Sequence, residues 1–125
     1  AGKHLARRLG ARPVDIPPSL KELYHCLATI SCAHVAAQML FCHDSLQAFP
    51  AAARKPLARG LCALSAATVA GFAGTNPAAG ITGPAARGDH LTMERHLAVL
   101  HERFPEWAPI YELLNAYLYR QSRRG

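Results

Sequence analysis

From Ser19 to about Gln47, apolar side chains return at intervals of three and four: Leu20, Leu23, Leu27, Ile30, His34, Ala37 and Phe41. That period predicts one long amphipathic helix. Ser19-Leu20-Lys21-Glu22 has the spacing of a capping box, with serine at the cap and glutamate three residues on. Ala28, Ala33, Ala36 and Ala37 keep the other faces slim, as a helix central to a bundle requires. Pro50 ends the segment, and Ala51 to Ala73 predict a second helix, striped by Leu57, Leu61, Leu64 and Thr68 and weakened at Gly60. Gly71, Gly74, Asn76, Pro77 and Gly80 close it and lead into a loop from Ile81 to Asp89. Asp89 is placed to cap a third helix, with Met93, His96, Leu97, Leu100 and Phe104 on one face. Pro105 and Pro109 bracket a break before a fourth, patterned by Ile110, Leu113, Leu114, Tyr117 and Leu118. The chain beyond residue 18 therefore reads as all-α, a bundle of four principal helices.

The first residues read differently. Residues 3–12 have the pattern of a basic helix stopped at Gly10, and Val14 and Ile16 alternate about Asp15 like a short strand before Pro17 and Pro18. A helix end and a strand with no sheet to receive them look like the tail of an α/β domain. We therefore divide the chain into 1–18, a remnant of such a domain with its linker, and 19–125, a helical domain. The opening Ala-Gly-Lys-His, without methionine or a secretory leader, fits that expectation of a part cut from something longer.

The 125 residues carry a formal charge of +6, but its placement matters more than its size. Lys3, Arg7, Arg8, Arg12, Arg120, Arg123 and Arg124 stand at the two ends; between them seven basic groups face eight acidic ones. The body of the domain thus has no general attraction for polyanions, and a basic nucleic-acid-binding domain is the weakest reading. The apolar tract Cys26 to Cys42, broken by Ser31, His34 and Gln38, is shorter than a bilayer span, so no membrane partner is expected. Cys26, Cys32, Cys42 and Cys62 match no zinc-ribbon or CxxC spacing and lie mostly in helical pattern, which predicts reduced, packed thiols, no metal and a cytoplasmic location.

Two stretches carry candidate chemistry. In Thr82-Gly83-Pro84-Ala85-Ala86-Arg87-Gly88-Asp89, glycines and a proline shape the backbone ahead of a helix. Arg87 there suits a phosphate or carboxylate, or pairs with Asp89 or Glu94. Tyr24-His25, near the start of the long helix, sets a phenol beside an imidazole that would serve as acid or base, or as a structural histidine.

Ile16-Pro17-Pro18, Leu23-Tyr24-His25, Pro56-Leu57-Ala58-Arg59, the TGP-x-x-RGD stretch at 82–89 and His96-Leu97 together resemble the helical C-terminal half of a family of predicted NAD(P)-dependent oxidoreductases. Those proteins join a Rossmann-like domain to a helical domain similar to the C-terminal part of 6-phosphogluconate dehydrogenases. The resemblance covers nearly all of residues 13–119. It implies that residues 1–16 end a Rossmann-like domain and that the helical half forms a homodimer and covers the nicotinamide site. NADP or NAD would belong to the full-length parent. No GxGxxG is present to grip a pyrophosphate, so the chain alone is expected to hold no cofactor tightly and to be inactive.

On this resemblance His25 is the proton donor or orienter, Tyr24 its neighbour, and Gly83, Pro84, Arg87 and Asp89 contact an anionic or other small-molecule substrate. One residue departs from the pattern: the family often has asparagine eight residues after this histidine, where Ala33 stands. Gly71 to Ala79 look like a local insertion. The alternative expectation is a non-catalytic helical module that dimerises through its alanine-rich helices.

Overall fold

The computed structural model describes residues 10, 12–73 and 81–124. Among them there is no strand, and the chain is all-α. Five helices follow in order: α1 (Pro18–Ala48), α2 (Ala51–Gly71), α3 (Pro84–Arg87), α4 (His90–Arg103) and α5 (Ala108–Ser122), the last led in by a 3-10 turn, Pro105–Trp107. Residues 12–17 form neither helix nor strand, so the short strand expected at Val14–Ile16, with no sheet in the chain to receive it, is not formed among the described residues. The expected basic helix and most of the closing turn at 74–80 lie outside the described residues, although Gly10 does take the left-handed conformation (φ 74°). The chain divides into two compact units, Ala1–Gly60 and Leu61–Gly125.

In the first unit, α1 is a continuous helix of 31 residues, about 46 Å long. It starts one residue earlier than the capping box predicts. Pro18 occupies the first turn, where its fixed φ and missing N–H cost nothing, and no side chain caps the end. Ser19 is thereby drawn into the turn. The middle of α1 is not α-helical: Ile30–His34 form a π-turn. A π-turn admits one extra residue, so every position beyond it rotates by about 100° against a plain α-helix.

That rotation decides which residues share a face. In place of His34 and Ala37, which are exposed, the stripe begun by Leu20, Leu23 and Leu27 continues through Val35, Met39, Cys42 and Leu46. Those four are covered or half-covered, as are Phe41 of the predicted stripe and Ser45. The extra residue keeps one apolar stripe in line along the whole helix.

The stripe is nevertheless largely bare. Leu46 is the one buried residue of α1, and Leu23 and Leu27 are each more than half exposed. The helix predicted to be central to a bundle is thus uncovered on most sides. Cys26, Cys32 and Cys62 are exposed rather than packed; Cys42 is half-buried, and burial pushes its thiol up from the ordinary value. By length and composition α1 would also suffice to cross a bilayer, because the helix is longer than the apolar tract read from sequence. Thr29, Ser31, His34 and Gln38 within it would each be costly there.

Arg54 fixes the corner between α1 and α2. Its Nε donates to the Phe49 carbonyl (2.9 Å), Nη1 to Gln47 Oε1 (2.6 Å) and Nη2 to the Gln47 carbonyl (3.2 Å). The half-covered positions of α2 are Ala53, Arg54, Ala58, Leu61 and Ser65; of the predicted stripe Leu61 is among them, while Leu57, Leu64 and Thr68 are exposed. Gly60, mid-helix, would meet nothing with an added Cβ.

In the second unit α3, α4 and α5 pack on one another around Ala85 and Ala108, the two buried residues. Met93, Leu97 and Leu100 of α4, and Phe104 just after it, are half-covered as the pattern predicts, whereas His96 of the same predicted face is exposed. On α5 the outcome is reversed. Tyr111, Asn115, Leu118 and Tyr119 are covered, and the predicted stripe Ile110, Leu113, Leu114 and Tyr117 points outward, apart from Leu118. The inward face is wide in aromatic area but carries hydroxyl and amide groups, which hides it from a hydrophobicity pattern.

The two glycines that bear on these elements should answer oppositely to alanine. Gly60→Ala removes backbone freedom from an open helical site and is expected to stabilise the fold by about 0.5–1 kcal/mol. Gly88 has φ 68° and lies 3.5 Å and 3.6 Å, measured from an added Cβ, from Arg123 and Tyr119. Gly88→Ala is expected to destabilise by about 1–2 kcal/mol. Urea denaturation of the two variants checks both signs.

Candidate functional site

The stretch 82–89 is predicted as an open loop, and the structure makes it a rigid turn. Gly83 takes φ 97°, a conformation closed to other residues, and sets Pro84 at the first position of the one-turn helix α3. Gly88, left-handed, ends that helix, with its N–H donating to the Ala85 carbonyl (3.2 Å). The Asp89 N–H donates to the Pro84 carbonyl (2.9 Å), which ties the turn across its base. Ala85 is buried beneath it.

Asp89 then caps α4, as its position predicts. The Thr92 N–H donates to Oδ1 (3.1 Å) and the Thr92 hydroxyl to Oδ2 (2.8 Å). The hydroxyl bond, then the backbone bond, and more weakly the charges of Arg87 and Arg95, hold its carboxyl below the usual carboxylate value. Both oxygens are engaged, so Asp89 holds the turn rather than offering a free carboxylate. Arg87 is exposed and, among the described residues, forms no ion pair with Asp89 or Glu94; the structural pairing foreseen for it is not made.

The far end of α5 braces the turn. Arg123 lies against Gly88 and its guanidinium stands 5.0 Å from the centre of the Tyr119 ring, while His90 meets the same ring at 5.9 Å. Arg120 similarly lies 6.0 Å from the Tyr117 ring. Two of the terminal arginines are therefore seated over aromatic faces.

Tyr24 and His25 are exposed on α1, in the first unit, whereas Gly83, Pro84, Arg87 and Asp89 belong to the second. The turn residues are brought together; neither unit alone holds both groups. Ala33, where an asparagine would place an amide, lies within the π-turn Ile30–His34 and is exposed. Among the described residues no group of three or more histidine, cysteine or acidic side chains is arranged to hold a metal ion.

A second feature escaped the sequence reading. Between α4 and α5 lies a cleft of about 380 Å³, lined by His90, Glu94, Tyr111, Glu112 and Tyr119 above the apolar side chains Met93, Leu97 and Ala116. At its edge His96 Nδ1 and the Tyr111 hydroxyl share a hydrogen bond of 2.8 Å, with the rings edge to face at 5.9 Å. Burial raises the Tyr111 hydroxyl above its ordinary value, against a smaller lowering from Asn115. No spacing rule joins His96 to Tyr111, because their meeting depends on the reversal at Pro105–Trp107.

An all-α chain built around this turn is the class the geometry defines. Residues 1–118 match the model of the family described as a domain of unknown function, DUF2520, and the chain belongs to that family. No curated protein matches the chain. No solved structure matches it either.

The Asp89 cap gives a pH prediction with a definite sign. Its folded-state value lies below the unfolded one, so its contribution is complete above the unfolded value, about pH 4, and is lost as pH falls through the folded value. Asp89→Ala should lower the melting temperature by a few degrees at pH 7 and flatten the acid limb of stability. Asp89→Asn should keep most of the cap but also flatten that limb. Thermal melts by circular dichroism between pH 2 and pH 7 read both effects.

Proposed function

We propose that this chain is the helical dimerisation and substrate-side domain of a two-domain NAD(P)-dependent oxidoreductase, with the nicotinamide held by a Rossmann-like domain preceding it in the parent protein. The observation that carries the dimer is the outward apolar stripe of α1, half-exposed from Leu20 to Ile30. Covering what remains exposed of each such leucine or isoleucine is worth roughly 1 kcal/mol. Four of them in line suit a second copy, whose identical stripe is complementary about a twofold axis. The oxidoreductase reading is supported by the motif resemblance and by the defined turn at 82–89, whose backbone is set by Gly83 and Gly88 at positive φ.

In this reading the cofactor supplies the hydride and the helical domain supplies position and a proton. His25 donates or orients that proton with Tyr24 beside it. Arg87, unpaired and projecting from a turn fixed by Gly83 and Gly88, meets the anionic part of a small substrate. Asp89 keeps the turn in shape. The four free cysteines accord with a reducing cytoplasm. A second reading, a dimerisation module without catalysis, is favoured by Ala33, which supplies no amide to orient a substrate.

Sedimentation equilibrium on the chain should give a dimer at micromolar concentration. Leu23→Glu with Leu27→Glu should shift it to monomer, raising the dissociation constant by at least about 100-fold. In the parent protein, NADPH fluorescence titration should show saturable binding that residues 1–125 alone do not give. A parent that dimerises without binding NADPH or NADH leaves the structural module and removes the oxidoreductase.

A further inference from the structure

The cleft between α4 and α5 has no part in the reading above, and its chemistry is specific. Glu94 reaches it from α4 and Glu112 from α5. Neither carboxylate has an ion-pair or hydrogen-bond partner among the described residues, although the domain is rich in arginine. Two unneutralised charges at the walls of a concave, mostly apolar space are unfavourable for an anion, which would meet like charge. A neutral apolar body would gain nothing from them, since both are exposed and keep their water. An organic cation satisfies both requirements at once.

The aromatic lining points the same way. Tyr111 and Tyr119 line the cleft, and Tyr119 already accepts a cation from this chain, the Arg123 guanidinium at 5.0 Å from its ring centre, while His90, which also lines the cleft, meets the same ring at 5.9 Å. Tyrosine faces with carboxylates nearby are the surroundings that ammonium groups prefer. Met93, Leu97 and Ala116 give an apolar floor for the body that carries the charge, and about 380 Å³ falls within the range of small-molecule sites.

We infer that the α4–α5 cleft is a binding site for a small organic cation, an ammonium group carried on an apolar body. The inference rests on the second unit alone and is independent of the oxidoreductase reading. The ammonium sits between the Glu94 and Glu112 carboxylates against the tyrosine rings, and the apolar body lies on Met93 and Leu97. The His96–Tyr111 hydrogen bond holds the Tyr111 ring in place at the edge, so His96 is a positioning residue.

The test is a two-dimensional amide NMR titration of the chain with benzyltrimethylammonium chloride at low salt, alongside sodium benzoate and benzyl alcohol as anionic and neutral analogues. The expected result is saturable shifts confined to α4 and α5 with the ammonium at millimolar concentration, none with benzoate, and weaker ones with benzyl alcohol. Glu94→Gln with Glu112→Gln, both exposed positions that leave the fold intact, should weaken ammonium binding by at least about fivefold. The inference is overturned by any of three outcomes. These are no saturable shift with the ammonium, equal affinity for the alcohol, or unchanged affinity in the double variant. Shifts of the same amides on simple dilution, without any probe, would assign the cleft to a second copy of the chain and overturn it as well.

Discussion

A line of apolar side chains on α1, from Leu20 to Leu46, is the constraint on which the rest depends. It exists as one line because the π-turn at Ile30–His34 adds a residue in mid-helix. Without that turn the stripe of the first half would face about 100° away from that of the second, and no single partner surface would cover both. With it, Leu20, Leu23, Leu27, Val35, Met39, Cys42 and Leu46 run along one side. A π-turn forfeits good hydrogen-bond geometry, so it is retained where alignment returns more than it loses. Here the return is one apolar line, open from Leu20 to Ile30, half-covered at Val35, Met39 and Cys42, and closed at Leu46.

The second unit is organised on the opposite plan, with order fixed locally by few groups. Two left-handed glycines, Pro84 and the Asp89–Thr92 cap define the 82–89 turn, and Arg123 on Tyr119 braces it from α5. Arg87 is left as the unspent charge of that arrangement. The cost is that the inward face of α5 is given to tyrosines and an asparagine, while its most apolar residues face out. In both units, then, apolar side chains are left outside: Leu20, Leu23, Leu27 and Ile30 of α1, and Ile110, Leu113, Leu114 and Tyr117 of α5.

That pattern explains what could be read in the sequence. The order and most limits of the four long helices are legible, because Pro50, Pro105 and Asp89 act within a turn of where they stand, whereas the one-turn α3 is read as loop. The α4 face is legible too, since its partners lie within the same unit. The faces of α1 and α5 are not. A periodicity reading finds the most apolar side of a helix and takes it for the interior, whereas Leu23, Leu27, Leu113 and Tyr117 are exposed. The π-turn is invisible for a related reason: Ile30-Ser31-Cys32-Ala33-His34 contains neither proline nor glycine to mark it. Of the candidate site, Asp89 as a cap and Gly83 as a turn residue follow from local chemistry. The α4–α5 cleft needs two helices brought together across Pro105–Trp107 and has no local sign.

The central claim is that α1 owes its stability to a second copy lying along its apolar stripe. Hydrogen exchange followed by mass spectrometry, at chain concentrations spanning the monomer–dimer range, measures this directly. Protection of residues 18–48 should rise with concentration in step with association, while that of α4 and α5 stays constant. Protection of α1 that is high and the same at every concentration would contradict the account.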